Sequence, residues 1–203
     1  LEGLEWENCM SKFKKTSELP IKPVPSGKGV QEQTYNIVVK NPDKSLADLK
    51  NTFEERPQDL LSNSKATFNP VDKEGNSLDN ANLDVGSDIE IAISGPLNNS
   101  AVRVTDKQIS EDGFSFTFGT LEGHIEAGEI TFSASQDKHG RITFNIGSTS
   151  KVDQGIASMV SGLARSEQEK SWQEVLTNVT NFLGGSEESR KRTVLKQKDE
   201  DNE

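Results

Sequence analysis

Three stretches decide the fold of this chain: GFSFTFGT (residues 113–120), EITFSAS (129–135) and ITFNIGS (142–148). In the first, Phe114, Phe116 and Phe118 alternate with Ser115 and Thr117. Ile130, Phe132 and Ala134 alternate with Thr131 and Ser133 in the second, and Ile142, Phe144 and Ile146 keep the same period in the third. Successive side chains on a strand point to opposite faces, so these segments predict consecutive strands of a sheet with one apolar and one polar face. The apolar face requires a cover. A helical stripe supplies it downstream, through Ile156, Met159, Val160, Leu163, Trp172, Val175, Leu176, Val179, Phe182 and Leu183. Asp153 is a good N-cap for that helix, and Gly184-Gly185 a good stop. From Gln154 to Leu183 the helix would be about 45 Å long.

Upstream, TYNIVVK (34–40) predicts a first strand, broken by Asn41-Pro42-Asp43. Leu46, Leu49 and Phe53 then recur at helical spacing behind a cap at Asp43 or Ser45. Pro57 interrupts that run, so two short helices in succession are expected, the second over Gln58–Leu61. Strands follow at ATFNPVD (66–72), at Ile89, Ile91 and Ile93 after a loop over 73–87, and at Val102 and Val104, where Arg103 faces the other way. Short turns between sequential strands imply an antiparallel meander. The fold class is therefore α+β: a curved antiparallel sheet of about seven strands wrapped on a long C-terminal helix, with two short helices after strand 1. Residues 1–30, carrying Pro20, Pro23, Pro25, Gly27 and Gly29, are expected as an N-terminal arm or linker, residues 31–185 as the domain, and residues 186–203 as a charged disordered tail.

Composition narrows the function classes. The chain has 203 residues and a formal net charge of −10. Nucleic-acid binding needs a Lys/Arg excess to displace phosphate counterions, so it is not expected. No stretch approaches the ~20 apolar residues of a membrane-spanning helix. Cys9 is the only cysteine, which excludes an intrachain disulfide and fits a reducing, cytoplasmic setting. A protein partner would find its contacts in residues 1–30 or 186–203. A strongly curved sheet closed by one helix either packs solid or keeps a cavity between the two.

The order of elements resembles the helix-grip fold of the START-like superfamily, which includes polyketide cyclases, plant pathogenesis-related allergens and lipid-transfer domains. Locally, GTLEGHIEAGEITFSA (119–134) is similar to a Thr-Leu-x-Gly-His-x-Glu-x-Gly-Glu signature of an uncharacterised bacterial and plant START-like family, and ITFNIGSTSKV (142–152) and the Gln168 region fit its pattern. Ile125 stands where that family commonly has Pro, and Lys151-Val152 where it has Arg-Pro. The resemblance implies a module that binds a hydrophobic small molecule or lipid between sheet and helix. The expected lining is Phe114, Phe116, Phe118, Phe132, Phe144, Met159 and Leu163, joined by Arg103 if it turns inward rather than to solvent.

Chemistry-bearing residues are few. His124 lies among Glu122, Glu126 and Glu129, where a carboxylate beside imidazole suits a general base, or the ring serves the turn by bonding to backbone. His124 and Glu126 are thus the catalytic candidates for an enzyme of cyclase or hydrolase type. His139, in Lys138-His139-Gly140, reads as a turn residue. No Gly-x-Ser-x-Gly elbow or phosphate-binding loop is present, and neither a metal site nor a cofactor is expected. A third reading is an interaction or delivered domain of a larger assembly, with no ligand.

Overall fold

The computed structural model describes residues 14–93, 100–124, 126–152 and 163–196. Strand β1 (Gln31–Lys40) leads through Asn41 to helices α1 (Leu46–Glu55) and α2 (Pro57–Leu61). Ser45 caps α1 by a reciprocal pair of bonds: its hydroxyl accepts from the Asp48 amide at 3.0 Å, and the Asp48 carboxylate accepts from the Ser45 amide at 2.9 Å. Pro57 opens α2, where its missing N–H costs nothing. Strands β2 (Ala66–Val71), β3 (Asp88–Ile93), β4 (Ser100–Ile109), β5 (Gly113–Thr120), β6 (Glu126–Gln136) and β7 (Ile142–Val152) follow, then helix α3 (Leu163–Leu183) and strand β8 (Ser186–Lys196).

All the strands form one antiparallel sheet in the order β2-β3-β4-β5-β6-β7-β1-β8. The register stacks the predicted rows: Phe116 faces Phe132, and Phe132 faces Ile146. One row on, Phe118 faces Ile130, and Ile130 faces Ser148. Register slips after Val104 and Val38 mark bulges, which increase the bend of the strands that carry them. Gly128 lets β6 and β7 approach closely, since a Cβ there would lie 2.2 Å from the Thr149 carbonyl oxygen.

The cover of the concave face differs from expectation. The long helix does not roof the aromatic row alone. Phe53 of α1 is fully buried, with ring centroids 6.0, 5.2 and 5.4 Å from those of Phe114, Phe116 and Phe132. Helix α3 instead lies over β1 and β7 through Val175, Leu176, Val179 and Leu183. The Asn178 amide ties it to α2 by donating to the carbonyls of Leu60 and Ser62 at 3.1 and 2.9 Å. The expected helix start at Asp153 and the residue Met159 lie outside the described residues, as does the side chain of Leu163.

A second difference is the eighth strand. Residues 186–196, expected within a disordered tail, pair with β1 along its length. An edge strand of an antiparallel sheet keeps charge on its open side, and that charge hides its period in the sequence. Gly184 and Gly185, both at positive φ, turn the chain from α3 into β8 rather than ending the fold. Arg190 then reaches back to the Gln173 carbonyl at 3.1 Å, and Arg192 pairs with Glu169 at 3.1 Å, so β8 grips the flank of α3.

The amino-terminal segment is not loose where it is described. A short 3₁₀ turn (Thr16–Glu18) and a bridge between Ile21 and Leu121 lay it on the outer face of the sheet. Arg103 fixes it there, donating to the carbonyls of Thr16 and Leu19 at 2.9 and 3.2 Å.

Candidate functional site

A cavity of about 80 Å3 lies at the end of the sheet where the described part of α3 begins. That is several times the space one water requires, and about half of an apolar cavity that takes benzene. Its apolar walls come from Leu61 of α2, Phe68 of β2, Ile89 and Ile91 of β3 and Val102 of β4. Phe118, Ile130, Phe132 and Trp172 complete them. The Trp172 ring stands 5.8 Å from Phe132 and 6.4 Å from Phe68, between centroids. Ile91, Ile130 and Trp172 are only partly buried, so this end of the core is less sealed than the Phe53 end.

The polar lining sits on the outermost rows. Thr120, Gly128 and Ser150 cross the end of β5, β6 and β7, with His124 in the β5–β6 turn and Glu126 at the start of β6. Gln168 faces them from α3, donating its amide to the Glu126 carboxylate at 3.3 Å. Thr120 is spent on the wall itself: its hydroxyl accepts from the Gly128 amide and donates to the Gly128 carbonyl, at 3.0 and 3.2 Å. Among the described residues no group of three or more His, Cys, Asp or Glu side chains is placed to hold a metal ion.

His124 is held by backbone. Its Nδ1 accepts from the Glu126 amide at 3.0 Å, and its own amide donates to the Leu121 carbonyl at 3.1 Å. The Lys22 ammonium donates to its carbonyl oxygen. With Nδ1 an acceptor, the neutral ring carries its proton on Nε2 and presents a donor, not a base, to a ligand. Burial, helped by the nearby Lys22 charge, pushes the ring's pKa down to about 4. The unfolded chain, titrating near 6.5, takes up a proton between those values that the folded protein refuses. Stability is therefore whole above about pH 6.5 and falls as the pH drops toward 4, by about 2 kcal/mol for this ring after allowance for its partial exposure. Denaturant melts from pH 4 to 7 check this against His124→Gln: the variant's curve should flatten in that window, and an unchanged slope would contradict it.

Of the residues expected to line a pocket, Phe118 and Phe132 are on the cavity, together with His124 and Glu126. Phe114, Phe116 and Phe144 are buried away from it, the first two against Phe53. Arg103 is on the other face of the sheet. It sits directly across from Asp88 in the β3–β4 register and pairs with it at 2.7 Å. Its neighbours Val102 and Val104 point inward, so strand alternation sends Arg103 outward. Sequence reasoning did not assign Ile91, Ile130, Gln168 or Leu61 to the site. Gln168 and Trp172 are one helical turn apart, a spacing that could have placed both on the roof.

A family match runs over residues 64–178, from β2 into α3, and contains most of the cavity wall. No curated protein matches the chain. Among solved structures, a hypothetical protein from Helicobacter pylori is similar at 9% identity and a TM-score of 0.57, covering 74% of this chain and 86% of its own. A norcoclaurine synthase point mutant from Thalictrum flavum, in complex with a transition-state analogue, is similar at 8% identity and a TM-score of 0.50, covering 78% and 98%. At such identities the likeness is one of fold, a curved antiparallel sheet with a long C-terminal helix. By the match over more than half of its length, the chain belongs to the family described as "Domain of unknown function (DUF1990)".

Proposed function

We propose that the protein binds a small, largely apolar molecule in the cavity between the sheet and α3. One observation carries this reading. The core is closed around Phe53 yet leaves about 80 Å3 beside Trp172, walled by carbon with a few polar groups at one end. Convergent polar groups at the rim of an apolar space are the usual composition of a ligand site. The norcoclaurine synthase of the same fold, solved with a transition-state analogue, supports the view that this architecture accommodates small molecules. Desolvating the ligand's carbon would drive binding, at roughly 25 cal/mol per Å2 of apolar surface buried.

Xenon is the direct probe, because it enters dry apolar cavities without needing a polar partner. Xenon-saturated buffer should shift the amide signals of Ile89, Val102 and Ile130 and the Trp172 indole in a nitrogen–proton correlation spectrum. Ile130→Trp, which fills the space, should abolish those shifts. Native mass spectrometry of freshly purified protein should show an added small mass that the same variant lacks. Undisturbed signals under xenon, with a bare mass, would refute the reading.

A further inference from the structure

The polar end of the cavity carries a donor whose direction is fixed. His124 stands in the β5–β6 turn, and backbone bonds brace that turn against the amino-terminal arm. The His124 amide donates to the Leu121 carbonyl, the Glu122 amide to that of Pro20 at 2.9 Å, and the Lys22 amide to that of Thr120 at 2.8 Å. The Lys22 ammonium adds its bond to the His124 carbonyl. Within this frame Nδ1 accepts from the Glu126 amide at 3.0 Å, so one edge of the ring is spent on the turn and the proton stands on Nε2, at the other edge. His124 is part of the cavity lining, and among the described residues nothing accepts from its Nε2–H. The hydroxyls of Ser148 and Ser150 at the same end can rotate to donate or accept, but an imidazole N–H only donates. An occupant that shields this N–H from water without accepting from it gives up affinity, whereas one that places an oxygen there keeps the bond.

We infer that the ligand is a neutral carbonyl compound, a small ketone, aldehyde or ester, whose oxygen accepts from His124 Nε2 while its carbon rests among Phe118, Phe132 and Trp172. This rests on the binding reading above and adds the ligand's polar group and where it lies. A carbonyl oxygen has lone pairs and no proton of its own, so one fixed donor satisfies it; an alcohol would also need an acceptor for its O–H. The ring is neutral at pH 7, since burial and the Lys22 charge hold its pKa down at about 4, so the bond joins two dipoles and calls for no charge on the ligand. The bracing of the turn sets the ring's direction before a ligand arrives, so little ordering is lost on binding. The cavity's size limits the enclosed portion to a head of a few heavy atoms.

Cyclobutanone and methylenecyclobutane, which differ only in an oxygen against a CH2 group, test this by titration into the intact protein at pH 7. Cyclobutanone should move the Trp172 indole signal and shift the His124 Nε2 proton downfield, and the bound ketone's carbonyl stretch should fall below its value in an apolar solvent. Methylenecyclobutane should move the indole signal alone. His124→Asn keeps an oxygen able to accept from the Glu126 amide but withdraws the Nε2 donor, so the ratio of ketone to alkene affinity should fall about fivefold. A bound ketone that leaves the Nε2 proton and the carbonyl stretch unmoved, or a variant with an unchanged ratio, overturns the carbonyl assignment while the cavity reading stands. If neither probe moves the indole signal, the cavity reading falls and the assignment with it.

Discussion

Replacing Phe53 by alanine is expected to cost about 3–5 kcal/mol of stability, the largest effect of any single core truncation in this protein. Phe53 is fully buried, and its ring touches those of three phenylalanines on two strands. Truncation removes the transfer energy of the ring and leaves a void that β5 and β6, held in register, cannot close. The lost aromatic contacts, about 0.5–1.5 kcal/mol for each pair, are part of that cost. Denaturant titration should show a much lower midpoint with an unchanged m-value. Phe53→Leu should recover at least half of the loss. A loss under about 1 kcal/mol in the alanine variant would mean that α1 does not close the concave face.

The second large effect lies on the opposite face. Arg103 and Asp88 are 19% and 6% exposed at their side chains, and the guanidinium uses two nitrogens on the carboxylate at 2.7 and 2.9 Å. Removing one partner of a buried pair leaves the other charge desolvated and alone, at a cost of about 3–5 kcal/mol. Arg103→Met is expected near the lower figure, because methionine restores some of the stem's packing. The double variant with Asp88→Leu should recover most of the loss, and the difference between the cycle's arms measures the coupling. The arm would lose its anchor at the Thr16 and Leu19 carbonyls as well. Protease cleavage between residues 14 and 30 should therefore accelerate in Arg103→Met. A double variant no more stable than the single one would show that the ion pair is not what the arginine contributes.

These two residues also mark what could be read in the chain beforehand. Phe53 was legible as part of an amphipathic helix through its spacing from Leu46 and Leu49, and the rows it meets were legible from their period of two. What a period cannot supply is the partner. Nothing in residues 46–55 says that α1, rather than α3, sits on Phe114 and Phe116, because helix placement depends on sheet curvature and on the bulges that set it. Arg103 failed differently. Its parity in β4 already directed it outward with Val102 and Val104 inward, and the carboxylate that makes it structural lies 15 residues earlier in the chain. The cavity is a mismatch of volumes between a curved sheet and its cover, and patterning carries no volumes. β8 was hidden because edge strands are charged for the same reason that tails are, to stay soluble.

The place of β1 has a consequence for how the molecule is made. This strand is made before its hydrogen-bonding neighbours, β7, more than a hundred residues later, and β8, at the far end of the described chain. Until both have left the ribosome, its two rims of amide and carbonyl groups have no native strand to satisfy them. Loop closure over such separations is slow, and contact order of this kind puts folding in the milliseconds-to-seconds range. The nascent chain thus carries an adhesive ribbon until those strands follow, and a product stopped at Gly185 would keep one rim bare for good.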